Sequence, residues 1–288
     1  MRETDHSQLM TLTHVDTYCT MEGRFGRAEV LGYRHDLVMH AHSQTQLAFW
    51  MGGGCAHAHV AGEHVAFRPD QAVAVNRLVS HDLCLSTADA PAVFLVVYID
   101  DAFLDACFPQ NGGPRMYPVA SVALDEALQR AAWQLMQKML DPVRSADFSV
   151  DTDVRWLLTQ TLSGAVLPDP AQALPRRHNM VDYRLRVAMA HMRDNLGRPT
   201  VAAELADVVG LSRSRLCALF HDEMGTTPHV FWNTIRLEAA TRRLDADHEN
   251  LTDLALDLGF SNSGNFSRFF REHTGVTPSA YRRYRHAA

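Results

Sequence analysis

The stretch ELADVVGLSRSRLCALFHDEMGTTP (204–228) is nearly restated by DLALDLGFSNSGNFSRFFREHTGVTP (253–278). Ala206, Gly210, Leu211, Ser212, Ser214, Leu216, Phe220, Gly225, Thr227 and Pro228 match Ala255, Gly259, Phe260, Ser261, Ser263, Phe266, Phe270, Gly275, Thr277 and Pro278. A repeat at about fifty residues governs the reading of everything local, and two copies are too few for a solenoid. In the first copy Val201, Leu205, Val208 and Val209 fall on one helical face, Gly210 permits a tight turn, and Ser212 suits the N-cap of a second helix with Leu216, Leu219 and Phe220 inward. In the second copy Leu251, Leu254, Ala255 and Leu258 point inward, Gly259 turns, and Phe266, Phe269 and Phe270 anchor the next helix. One more residue separates Gly259 from Phe266 than Gly210 from Leu216, so the second turn is slightly longer.

One glycine-turned helix pair is common in helical proteins; two at matching offsets are a specific signal. Between them HVFWNTIRLEAATRRL (229–244) has helical spacing at Phe231, Ile235, Ala239 and Leu244 and reads as one connecting helix after Pro228. These residues, and above all GFSNSGNFSRFFREHTGVTPSAYRR (259–283), resemble the AraC/XylS family of transcription regulators, whose DNA-binding domain is two helix-turn-helix units joined by a long helix. The resemblance covers roughly the last third of the chain and implies an N-terminal cupin-like jelly roll.

A length of 288 residues suits about two domains, and 47% hydrophobic with 21% charged residues is ordinary globular composition. No apolar run approaches a membrane span and MRETDHSQLM lacks a signal-peptide apolar core, so a cytoplasmic protein without membrane contact is expected. Cys19, Cys55, Cys84, Cys107 and Cys217 are scattered and form no CxxC pair, which reads as reduced thiols. The net charge of −6 divides into −9 before residue 176 and +3 after it. Every base in the second part is arginine, with Arg213, Arg215, Arg268, Arg271, Arg282, Arg283 and Arg285 near the second helices and the C-terminus, where phosphates would be met.

From Gly32 to Val97 short apolar or alternating runs (QLAFWM, CAHAHV, VAFRP, AVAVN, AVFLVVYI) are broken by turn residues, the texture of a small sandwich or barrel. Two helical stripes follow, Leu124, Leu128, Ala131, Leu135 and Met139, then Val154, Leu157, Leu158, Thr161 and Leu162. Packing on the barrel is the default for both, and a dimer seam is the alternative that the resemblance implies. The fold expected is therefore α+β in two domains, a cupin-like β-barrel (jelly roll) with accessory helices over 1–170 and an all-α domain of two helix-turn-helix units over 184–288. Residues 171–183 hold the linker and the start of the first helix, proline-rich PDPAQALPRRHN (168–179) being the interdomain stretch.

MHAHSQTQL is similar to the first cupin motif, with Gln46 where metal-binding versions carry glutamate, and FRPDQAVAVNRLVSHD resembles the second. His40, His42, Gln46 and His81 are the candidate effector-binding residues, and His40, His42 and His81 are the alternative three-nitrogen metal site. Losing the carboxylate weighs against metal, so no metal or other cofactor is assigned. His57, His59 and His64, near a hairpin turn, read as surface residues. No nucleophile elbow, phosphate loop or HExxH motif occurs, and the pairs Asp100–Asp101, Asp125–Glu126 and Asp151/Asp153 suit helix starts better than acid–base chemistry.

These features point to a non-enzymatic, ligand-responsive transcription regulator. Its expected partners are double-stranded DNA, a small-molecule effector, a second copy of the chain and, for an activator, RNA polymerase. The rival is a metal-dependent cupin enzyme with an accessory helical domain. Candidate DNA-binding residues are Arg213, Ser214, Arg215, Cys217, Ala218 and His221 on the first recognition helix, and Asn262, Ser263, Asn265, Ser267, Arg268 and Arg271 on the second. The first set is small or weakly polar and the second can bond base edges and phosphates, so the two helices should divide recognition unequally.

Overall fold

The computed structural model describes residues 15–86, 90–108, 116–141, 149–164, 182–198, 202–246 and 250–286. Strands β1 (Val15–Gly23), β2 (Gly26–Tyr33), β3 (Leu37–His40), β4 (Thr45–Gly53), β5 (Ala56–Val60), β6 (Glu63–Ala66), β7 (Gln71–Val75), β8 (His81–Leu85) and β9 (Ala92–Ile99) come first. A short helix α1 (Asp101–Cys107) and strand β10 (Ser121–Ala123) follow. They form a six-stranded sheet, β1-β2-β9-β4-β7-β10, and a four-stranded sheet, β3-β8-β5-β6. All their pairings are antiparallel. Within them β2 to β9 take the orders 2-9-4-7 and 3-8-5-6, the double Greek-key arrangement of a jelly roll.

The expected barrel is thus two packed sheets, and the burial of β9 shows why its sequence is nearly continuously apolar. Phe94 and Val96 face the four-stranded sheet and join Leu37, Ala56 and Leu83. Leu95, Val97 and Ile99 point the other way, onto helices α2 (Glu126–Leu140) and α3 (Asp151–Gly164). Leu128, Leu135 and Met139 of α2, and Val154, Leu157 and Leu158 of α3, lie in that cluster, with Leu135 only 1% exposed. The 124–139 stripe is therefore core, and the dimer-seam alternative for it is corrected. Ala131 stands at the margin of the stripe while Ala132 is buried, a one-residue shift in phase. The carboxylates at the helix starts have structural partners: Asp125 caps α2 by accepting the Leu128 N–H (2.8 Å), Asp151 accepts the Arg24 N–H (2.8 Å), and Asp153 pairs with Lys138 (2.5 Å).

The C-terminal domain comprises α4 (Tyr183–Asp194), α5 (Ala202–Val208), α6 (Arg213–Met224), α7 (Pro228–Ala246), α8 (Leu251–Asp257), α9 (Ser263–Thr274) and α10 (Pro278–His286). The expected linker lies mostly outside the described residues; helix α4 starts after its N-cap Asp182. The spacing of Leu185, Met189 and Met192 predicts an inward face for this helix; Leu185 and Met192 are buried, but the third buried position is Ala188, with Met189 only half-buried.

Candidate nucleic-acid interface and effector pocket

The repeated residues make the same bonds in both helix pairs. In the first turn the Leu211 N–H donates to Ala206 O and Gly210 N–H to Asp207 O; in the second, Phe260 N–H donates to Ala255 O and Gly259 N–H to Leu256 O. Gly210 (φ +66°) and Gly259 (φ +77°) take the left-handed conformation that a side chain disfavours. The extra residue of the second turn moves its cap: Ser212 accepts the Arg215 N–H, and Asn262, not Ser261, accepts the Asn265 N–H (2.8 Å). Leu216 and Phe266 then stand at equal distances after their caps, both fully buried. The shared Gly-x-Thr-Pro ends α6 and α9 with left-handed Gly225 and Gly275. It then restarts the chain with Thr227 and Thr277, whose hydroxyls accept the Val230 and Ala280 N–H groups, and with prolines in the first turn of α7 and α10.

A residue that spacing did not single out holds the second pair to the connector. Arg236 of α7 stacks 3.7 Å from the Phe260 ring centroid and donates through Nε to Leu258 O (2.8 Å), and burial lowers its guanidinium to about 10. Phe269, expected inward, is half-buried against Phe260 and His273.

On α6, Arg213, Ser214, Arg215 and His221 are exposed and Cys217 and Ala218 half-buried. At α9, Asn262, Asn265, Arg268 and Arg271 are exposed and Ser263 and Ser267 half-buried. Asn262 is engaged as the cap and Asn265 bonds the Ser261 hydroxyl (2.7 Å), so both amides are held in place. Asp257, one acid available to Arg268, is paired with Arg243 instead (2.8 Å), and Arg268 forms no ion pair among the described residues.

Between the two sheets lies a cavity of about 40 Å³, room for a few waters. Its wall is mostly apolar, with Phe67, Phe94, Val75 and Leu83, and its polar groups include Tyr33, His40, Gln46, His81, Asp82 and Tyr98. His42 does not line it; its Nδ1 lies 2.7 Å from Gln44 O and its Nε2 2.5 Å from Gln46 Oε1. His40 and His81 likewise direct Nδ1 to backbone carbonyls, Val38 O (2.7 Å) and Val79 O (3.0 Å). Ring centroids of His81 lie 4.2 Å from His40 and 4.9 Å from His42. Burial holds all three below the ordinary imidazole value, helped by neighbouring histidines at His40 and His81 and by Arg27 at His42; His40 lies at about 3, and the cluster is neutral at pH 7. Burial pushes the Tyr98 phenol up, so it remains a hydrogen-bond donor.

This wall abuts the helical domain. Ser43 N–H donates to Glu238 Oε1 of α7 (2.7 Å), Thr234 Oγ1 of α7 donates to Ala41 O (3.0 Å), and Ser80 Oγ donates to the α6 cap carbonyl Gly225 O (3.3 Å). His273 of α9 approaches His40 (6.5 Å between centroids). Leu78 takes φ +60°, costly for a branched side chain, and is 3% exposed in a cluster with Leu185, Phe220 and Phe231. Glu238, Thr234, His273 and Leu78 carried no signal in the sequence, because each gains its role from a chain segment far away.

A two-layer β domain joined to a bipartite helix-turn-helix domain is the class defined by this geometry. The family model for a helix-turn-helix domain matches residues 205–284, which are an AraC-type helix-turn-helix domain, as the residue pattern implied. An uncharacterised HTH-type transcriptional regulator of Staphylococcus aureus (strain COL) is 41% identical over 80 residues, 28% of this chain and 11% of its own length. The raffinose operon transcriptional regulatory protein of Pediococcus pentosaceus is 29% identical over 100 residues, 35% of this chain and 36% of its own. The chain thus spans about a tenth and about a third of these two relatives. ToxT from Vibrio cholerae shares the two-domain fold, with a TM-score of 0.55 over 93% of this chain and 97% of that one at 12% identity. A ToxT structure with bound unsaturated fatty acid superposes with a TM-score of 0.51 over 88% and 94% at 12% identity.

Proposed function

We propose that the protein is a sequence-specific, DNA-binding transcription regulator that senses a small molecule between its sheets and is not an enzyme. The observation that carries this is the duplicated helix-turn-helix with matching caps and left-handed glycines, which leaves Arg268 and Arg271 exposed on α9. Arginine there suits guanine edges and phosphates; the α6 face of Ser214, Cys217 and Ala218 suits apolar contact with thymine methyls. The neutral histidines, Gln46 and Tyr98 around an apolar cavity supply hydrogen bonds to an uncharged or weakly acidic effector. An effector larger than a few waters must part this wall, and Ser43 and Ala41 would carry the movement to Glu238 and Thr234 of α7. Binding of a fatty acid by ToxT, a protein of the same fold, supports a ligand in the β domain.

The protein acts in the cytoplasm as a homodimer, and RNA polymerase is a further partner if its output is activation. Among the described residues no helix is long and apolar enough to cross a membrane, and α2 and α3 expose Trp133 (46%) and Trp156 (43%), side chains suited to a subunit contact. Electrophoretic mobility assays on the DNA flanking its own gene, with and without candidate effectors, test the proposal. Retarded complexes whose affinity changes with one effector support it; no retardation at low salt contradicts it.

A further inference from the structure

Strand alternation sends a second set of chemically active side chains to the solvent side of the four-stranded sheet. On β5, His57 and His59 are half-buried between buried Ala56, Ala58 and Val60; on β8, Asp82 and Cys84 alternate with buried His81 and Leu83; on β6, His64 is exposed. Register places His57 opposite Cys84 and His59 opposite His64. One donor atom each from His59, Asp82 and Cys84 lies within 4.8 Å of the others. His59 Nδ1 is 3.0 Å from Asp82 Oδ2, and the His59 backbone N–H donates to the same carboxylate (2.7 Å). The His57 and His64 ring centroids are 4.7 Å apart, and 5.7 and 5.5 Å from that of His59.

We propose that this outer face binds one divalent transition-metal ion of borderline softness, such as zinc, through His59, Asp82 and Cys84, with His57, His64 or water completing the shell. A tetrahedral ion with bonds near 2.1 Å separates its nitrogen and oxygen ligands by about 3.4 Å, so the paired β5 and β8 backbones already stand at the required spacing. The mixture of imidazole, carboxylate and thiol disfavours calcium and magnesium, which take oxygen ligands. The Cys84 thiol, raised by burial and by the Asp82 and Asp36 carboxylates, releases its proton to solvent as the metal–sulfur bond forms. His81 alternates to the cavity face, while Asp82 borders the cavity as well as the outer face, so an ion here would staple β5 to β8, whose Ala58, His81, Asp82 and Leu83 form part of the cavity wall.

Titration of the full chain with cobalt(II), followed by displacement with zinc, tests the site. One equivalent should bind with a thiolate-to-cobalt absorption band, which Cys84→Ser abolishes, and zinc affinity should fall about tenfold or more in His59→Gln. Zinc should also raise the melting temperature of the wild type and not of the double variant. Circular dichroism of the variants, altered only on the solvent side, checks the sheet, and the wild-type cobalt spectrum stands without them. No stoichiometric binding, a bound ion without the thiolate band, or binding that survives both substitutions but is lost in His40→Gln would overturn the proposal.

Discussion

Gly259 faces two constraints: φ is +77°, and a Cβ there would stand 2.9 Å from the carbonyl oxygen of Gly197. The α4 end and the second helix-turn-helix meet backbone to backbone at this point. Gly62, in the β5–β6 turn, has φ +85° but no atom within 4 Å of its added Cβ. Gly62→Ala should therefore cost about 1 kcal/mol for the backbone alone, and Gly259→Ala about 2–3 kcal/mol or more, measured by urea unfolding of the full chain. Equal costs would mean that the Gly197 contact yields freely. The turn glycines were legible in the sequence because a left-handed turn imposes glycine locally. Arg236 was not, since its value comes from Leu258 O and Phe260, brought beside it by folding. Arg268, exposed and free of Asp257, has its fork available to DNA. Arg268→Ala should weaken binding by about 1–3 kcal/mol and relax preference in one half of the site, while Ala218→Gly does much less. Equal weakening on every operator variant would assign Arg268 to phosphate.

Helix α2 illustrates what periodicity reveals and what it leaves open. Its apolar stripe was readable from 3.6-residue spacing, but a stripe facing a sheet and a stripe facing a second subunit look alike in sequence. The six-stranded sheet takes this face, so Leu135→Ala should cost about 2–5 kcal/mol in chemical unfolding, and a stability change under 1 kcal/mol would return the apolar stripe to the subunit interface. The junction between α7 and the β3–β4 turn was invisible, because Ser43 and Glu238 lie 195 residues apart. Glu238→Gln should blunt the effector's influence on DNA binding while leaving effector-free binding within a few-fold. His40, His42, His81 and His273 share this region, and burial lowers each below 6.5, reinforced by neighbouring histidines for His40, His81 and His273, by Arg27 for His42 and by Arg236 for His273. Glu238 beside His42 and Asp82 near His40 oppose the shift without cancelling it. The unfolded chain then binds protons that the folded one refuses, so their contribution is fully present above about pH 6.5 and is lost as pH falls towards 3. Unfolding midpoints should drop across that window, and His40→Phe should flatten the drop; an unchanged slope would remove His40 from the acid response.

At the scale of the whole molecule, the helical repeat and the alternating strands announced two domains, but not how firmly they join. One cluster of buried side chains contains Leu37, Leu83 and Phe94 of the β domain together with Leu254, Phe266 and Phe270 of the helical domain. The cavity wall and α9 consequently share a core, so under the proposed function an effector there has a direct route to the helices that would meet DNA. The charge split supports the same division of labour, −9 on the first part and +3 on the part that would meet phosphates. Footprinting of the full chain on the DNA flanking its own gene, over a series of salt concentrations, tests the regulatory account most directly. It should show two protected major-groove segments about one helical turn apart on one face of the duplex, with affinity falling steeply as salt rises. A folded protein that protects no segment at low salt, or coats the DNA without preferred positions, would contradict it.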